Sequence, residues 1–191
     1  MFDYELMSGA PMESDAQRIA LGLRRGDIAV LEALVEQYQY RLVRYLIYLL
    51  GSRSGVDDLA QEIWLRVLER GSSYDGQSRF EPWLFRIARN IAVDAMRKRR
   101  EFSLDSDDDD VRPVTASDEP SPFTLAARTE DASRLARSME TLEPVFREAL
   151  VLRFQEDLSL QDIAAIVGAP VSTVASRIYR GLATLRPELE G

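Results

Sequence analysis

Along most of the chain, apolar residues recur at spacings of three and four, the period of a helix with one buried face. The pattern predicts a short helix over Ala16–Arg24, capped by Asp15 and stopped at Gly26. A longer one follows over Ile28–Leu50, with Leu31, Leu34, Val35, Tyr38, Leu42, Tyr45, Leu46 and Leu49 inward and Gly51 as its stop. Val56–Arg70 turns Leu59, Ile63, Trp64, Val67 and Leu68 inward and leaves Asp57, Asp58, Gln61, Glu62 and Arg66 outside. Residues 72–79 read as a loop around Tyr74, and Phe80–Arg100 as a fourth helix started by Pro82. These four make a first helical domain over residues 15–102.

Farther on, Leu125–Leu142 reads as a helix with Leu135 and Met139 inward, and Pro144 opens another, Val145–Phe154, burying Val145, Ala149, Leu150 and Leu152. Leu160–Leu182 carries the sharpest pattern of the chain. Ser159 and Asp162 suit a capping box, Ala164 allows close approach, Gly168 permits a left-handed turn, and Val174 and Ile178 return to pack on Ile163 and Val167. That order of small residue, glycine and apolar return is a helix-turn-helix, whose second helix exposes Ser172, Thr173, Ser176, Arg177 and Arg180. An ordinary helical hairpin is the alternative.

The fourth helix, Phe80–Arg100, has chemistry of its own. Trp83, Leu84, Ile87, Ala88, Ile91, Ala92 and Ala95 form its apolar face, and Arg86, Arg89, Asn90, Asp94 and Arg97 lie opposite, before the run Arg97, Lys98, Arg99, Arg100. Basic residues so concentrated form an electrostatic footprint for phosphate. Asn90 can address a base edge, and Tyr74, Phe80 and Trp83 offer stacking rings. A solvated basic surface helix with an aromatic anchor is the other reading of the same residues.

Composition narrows the chemistry. The 191 residues contain no cysteine and no histidine, which excludes disulfides, thiolate metal sites and the usual general base. No nucleotide loop or catalytic triad is present, and Asp105–Asp110 lacks the glycine and terminal acid of a calcium loop. The longest apolar run, Tyr45–Leu50, is too short to cross a bilayer. A cytoplasmic, non-enzymatic protein without cofactor, metal or membrane insertion is expected.

The net charge of −8 is unusual for a nucleic-acid binder, but it is not spread evenly. Residues 103–131 hold nine acids against two bases, with three prolines and few large apolar residues, while residues 1–102 are neutral. Such a segment cannot bury enough surface to order itself and reads as a flexible acidic linker. The expected organisation is all-α: a loose leader over residues 1–14, with Met7 and Met12 as alternative starts, a domain over 15–102, the linker over 103–131, and a helix-turn-helix domain over 132–191.

Three stretches together, Asp57–Glu69, Phe80–Arg100 and Phe146–Arg186, resemble a bacterial RNA polymerase sigma factor of the extracytoplasmic-function group of the sigma-70 family. The resemblance covers regions 2 and 4 in order. It implies a factor that binds core polymerase and directs promoter recognition and opening in transcription initiation, in response to an envelope or stress signal. By the same resemblance, Asp57, Asp58, Gln61, Glu62 and Arg66 dock on the beta-prime clamp. Tyr74, Phe80, Trp83, Arg86, Arg89, Asn90, Asp94, Arg97, Lys98 and Arg100 serve the minus-ten element, with residues 72–79 holding a flipped base. Ser172, Thr173, Ser176, Arg177 and Arg180 address the minus-thirty-five element. The beta flap and an anti-sigma factor are further implied partners. Two departures stand out: Ala175 replaces a usual basic residue, and Leu142-Glu143-Pro144 separates a usual Leu-Pro pair. A dimeric helix-turn-helix regulator and a sequestering mimic are the rival classes. The acidic linker, held close to both basic faces, is expected to weaken DNA binding by the free chain.

Overall fold

The computed structural model describes residues 15–104 and 138–190, and among them every regular element is helical. The leader over residues 1–14, nearly all of the acidic linker and the first part of the helix expected over Leu125–Leu142 lie outside the described residues. So does Leu135, whereas Met139 is buried as expected.

Helix α1 spans Asp15–Arg25, α2 Ile28–Leu50, α3 Val56–Arg70 and α4 Phe80–Leu104. Local chemistry sets these limits. The Asp27 carboxylate accepts a hydrogen bond from Ala29 N at 3.0 Å, and Gly51 ends α2 at a φ of 67°, where a side chain would be strained. Helices α2, α3 and α4 pack on one another, and α1 crosses α2 and the short 3-10 turn Gly71–Ser73. Val56, Ala60, Ile63 and Val67 form the inward line of α3 and are fully buried. Leu68 is one step farther round the helix and is 47% exposed, correcting its expected inward place.

After a helical turn at residues 138–141, α5 spans Pro144–Leu150, α6 Leu160–Val167 and α7 Val171–Glu190. The helix expected over Val145–Phe154 is not uniform. From Val151 to Gln155 the ladder widens, with Glu156 N donating to Val151 O at 3.1 Å, five residues back. Phe154 within this stretch faces solvent, as does Val145 in the first turn of α5, and only Ala149, Leu150 and Leu152 of the expected inward set are buried. Helix α7 crosses α5 at Gly181, where a Cβ atom would lie 2.9 Å from Leu150 Cδ1.

The two helical units pack against each other rather than standing apart. Helix α6 lies on α4 and α5 lies on α2, and one cluster of buried apolar residues runs from Ala20 to Leu185. As a result α2 is buried all round at Tyr45, Leu46, Ile47 and Tyr48, where a one-sided helix would expose part of each turn.

Candidate nucleic-acid and polymerase interfaces

The helix-turn-helix forms as its sequence predicts. Ser159 Oγ accepts from Asp162 N at 3.1 Å while the Asp162 carboxylate accepts from Ser159 N at 3.2 Å, a reciprocal cap on α6. Gly168 ends α6 at a φ of 65°, and the chain turns through Pro170 into α7. Val174 and Ile178 are buried beneath α7, as are Ile163 and Val167 of α6. Ser172, Ser176 and Arg180 are exposed and Thr173 and Arg177 half-buried, around one shallow recess beside Phe146. Among the described residues neither arginine has an ion-pair partner. Tyr179, 75% exposed on the same face, was not anticipated. Its position three after Ser176 and seven after Ser172 was the available signal.

On α3, Asp57, Asp58, Gln61 and Glu62 are exposed together. Arg66 is half-buried and braced between Glu69 at 3.3 Å and Glu62 at 3.8 Å. Leu65, 62% exposed, and Leu68 add an apolar component to this acidic face. Such a mixture suits a protein partner better than a nucleic acid, since anions here would repel phosphate.

Helix α4 departs most from expectation. The expected stacking rings close on one another: Tyr74, Phe80 and Trp83 lie with centroids 5.4–5.5 Å apart, and each is at most 9% exposed. Tyr38 adds a fourth ring 5.4 Å from Phe80. Tyr74 donates its hydroxyl to Ser78 O at 2.5 Å, and burial, then Asp75 and Glu81, pushes its phenol up to about 12. These rings are therefore core, corrected from free stacking surfaces in this conformation. They hold the loop at residues 72–79 against the domain.

Arg86, Asn90, Asp94, Arg97 and Lys98 remain exposed. Arg97 is drawn toward Asp94 at 3.3 Å and Glu101 at 3.9 Å. Asn90, Asp94 and Lys98 line an open groove of about 740 Å³ shared with Glu62 and Arg66, so residues from two separate sequence stretches border one surface. The side chain of Arg100 lies outside the described set.

Arg89 is the exception on α4. Its Nε donates to Glu148 of α5 at 2.8 Å, and the same carboxylate oxygen accepts from Tyr45 at 2.9 Å. Burial and then Glu148 push the Tyr45 phenol well above its ordinary range, so it remains a donor. Alongside, Glu156 accepts from Arg41 Nε at 2.8 Å and from Arg44 Nη2 at 3.1 Å. Arg79 reaches Asp157 O at 3.0 Å and pairs with Glu81 at 3.4 Å. Burial works to raise the Glu81 carboxyl, but backbone hydrogen bonding, Arg79 and Tyr38 outweigh it and hold the group below its ordinary range. Arg41, Arg44, Glu148 and Glu156 were missed as a set. The continuous apolar run Tyr45–Leu50 was their signal, because a helix apolar all round must be covered on every side.

Among the described residues no acidic cluster is arranged to hold a metal ion, and no helix is long and apolar enough to cross a membrane.

A family model of sigma-70 region 2 matches residues 34–102, and one of sigma-70 region 4 matches residues 132–185. The chain is 34% identical over 167 residues to the ECF RNA polymerase sigma factor SigE of Mycolicibacterium smegmatis, covering 86% of this chain and 64% of that protein. It is 31% identical over 176 residues to the RNA polymerase sigma-H factor of Pseudomonas aeruginosa, covering 86% and 88%. Among solved structures, the sigma factor RpoE in complex with the anti-sigma factor NepR from Bartonella quintana superposes with a TM-score of 0.68 at 26% identity, covering 83% of this chain and 96% of that one.

Proposed function

Because this chain belongs to the extracytoplasmic-function group of the sigma-70 family, the non-catalytic subunits that direct RNA polymerase to promoters, we propose a division of labour among its exposed faces. Helix α7 reads the minus-thirty-five element in the major groove through Ser172, Thr173, Ser176, Arg177 and Arg180. The exposed part of α4, with Arg86, Asn90, Asp94, Arg97 and Lys98, addresses the minus-ten element where strands separate. The acidic and apolar face of α3 docks on the beta-prime clamp of core polymerase, and the second domain sits near the beta flap. An anti-sigma factor, such as the one the RpoE structure contains, restrains the chain in the cytoplasm until an envelope or stress signal arrives.

One observation supports this reading above the rest. Asp57, Asp58, Gln61, Glu62, Leu65 and Leu68 are all exposed on one helix beside a basic one. A self-sufficient DNA regulator has no need of that acidic and apolar neighbour.

The test is the double variant Asp58→Lys, Glu62→Lys. Both sites are exposed, so the fold should change by no more than about 0.5 kcal/mol. Co-purification with core polymerase and run-off transcription from a matched promoter should both be lost. Unchanged polymerase affinity with a normal melting curve sinks the clamp assignment.

A further inference from the structure

We propose that the packed arrangement of the two domains is an off state latched by Glu148 and Glu156, and that these carboxylates fill a three-arginine site whose competing ligand is the phosphate backbone of DNA. The promoter geometry used below rests on the sigma reading above; the latch itself does not.

The site belongs to the first domain. Arg41 and Arg44 stand one turn apart on α2, and Arg89 comes from α4, which packs on α2. Both carboxylates belong to the second domain. Glu156 has a fully buried side chain and spreads its two oxygens between Arg41 and Arg44. Glu148, 4% exposed at its side chain, takes Arg89 and Tyr45 on one oxygen. When the domains part, the first-domain carboxylate left beside these cations among the described residues is Glu81, 3.7 Å from Arg41. Three guanidinium groups then face one side, and guanidinium forks match phosphate oxygens as they match carboxylates.

Three features mark the contact as one that opens. Buried ion pairs are a costly way to hold two domains, since apolar residues of similar size commonly hold them at least as well. What ions add is exchangeability: a second anion can take the place of the first. The joint is also incompletely satisfied, with Arg44 Nε and Gln155 Oε1 buried without a hydrogen-bond partner among the described residues. Finally, α6 touches α4, which puts their axes about 10 Å apart. The two promoter elements are separated by about 25 base pairs, roughly 85 Å at about 3.4 Å per step. Two domains in contact cannot engage both, so promoter binding requires the latch to open.

The experiment uses the full chain. Because it has no cysteine, Glu36→Cys on α2 and Ala183→Cys on α7, both exposed, accept a donor and acceptor dye pair without background labelling. In this labelled chain Glu148→Gln, Glu156→Gln should lower energy transfer at unchanged helicity and raise affinity for a duplex of arbitrary sequence at least about tenfold at low salt. Adding Arg41→Ala and Arg44→Ala to the opened chain should remove most of that gain while energy transfer stays low. If the glutamine variant loses helicity, the labelled parent carries the test: energy transfer should fall as salt rises from about 0.05 to 0.5 M. Transfer that stays high in the folded glutamine variant, or that ignores salt in the parent, overturns the latch. An opened chain whose duplex affinity ignores Arg41 and Arg44 overturns the phosphate site. Failure of the sigma reading appears separately, as an opened chain that neither binds core polymerase nor supports run-off transcription.

Discussion

Helices α4 and α7 both carry clustered arginines, and folding treats the two sets differently. On α4 part of the charge is engaged: Arg89 is held by Glu148 and Arg97 lies between Asp94 and Glu101, while Arg86 and Lys98 stay exposed with no ion-pair partner among the described residues. The rings at the start of α4 are packed into the core. On α7, Arg177 and Arg180 flank a recess with no carboxylate of the described residues upon them. By composition α4 is the stronger nucleic-acid helix, but carboxylates take up part of its charge and none of that on Arg177 and Arg180 among the described residues. A count of charges along a sequence measures potential, and the neighbours that folding supplies decide how much of it faces solvent.

The sharpest way to break this contrast is at the aromatic cluster. Phe80 is 2% exposed, so Phe80→Ala should cost about 3–5 kcal/mol of stability, read by urea or thermal unfolding. A loss below about 0.5 kcal/mol would return Phe80 to the surface as a free stacking ring. Less costly to the fold but sharper in consequence, Arg177→Ala should remove about 1–3 kcal/mol of binding at one position of the minus-thirty-five element. That loss is checked by anisotropy titrations of polymerase holoenzyme on single-base promoter variants. Equal loss on every sequence would make Arg177 a phosphate contact. Smallest is the support beneath α7: Ser159→Ala removes one half of the α6 cap and should cost about 1 kcal/mol by melting. Phosphate contacts on α4 should not respond to it.

Much of this was readable before any coordinates. The limits of α2 and α3, the start of α4, the capping box and the glycine turn all follow from spacing and end chemistry, which act within a few residues of where they are written. What escaped depends on distant partners. Leu68 and Val145 fit the helical period, yet the neighbouring helix covers the next line round. Trp83 lies on the apolar face of its helix, but nothing local said that Tyr74 and Phe80 would close on it and on Tyr38. The contact between domains unites residues about a hundred positions apart, such as Tyr45 with Glu148, and no periodicity spans that distance.

The widened ladder at Val151–Gln155 bears on that contact through rotation. Glu148 and Glu156 are eight residues apart, and an α-helix advances about 100° per residue, so in a regular helix they would point about 80° away from each other. A five-back bond takes in one residue more than a regular turn, so the stretch winds as if it held seven steps, about 700°, and the misalignment shrinks to about 20°. One extra residue in one turn thus acts as a phase corrector that aims both carboxylates at the same wall of arginines. Deleting a residue between Val151 and Gln155 would leave a continuous helix whose second carboxylate stays in register only if the ladder narrows with it.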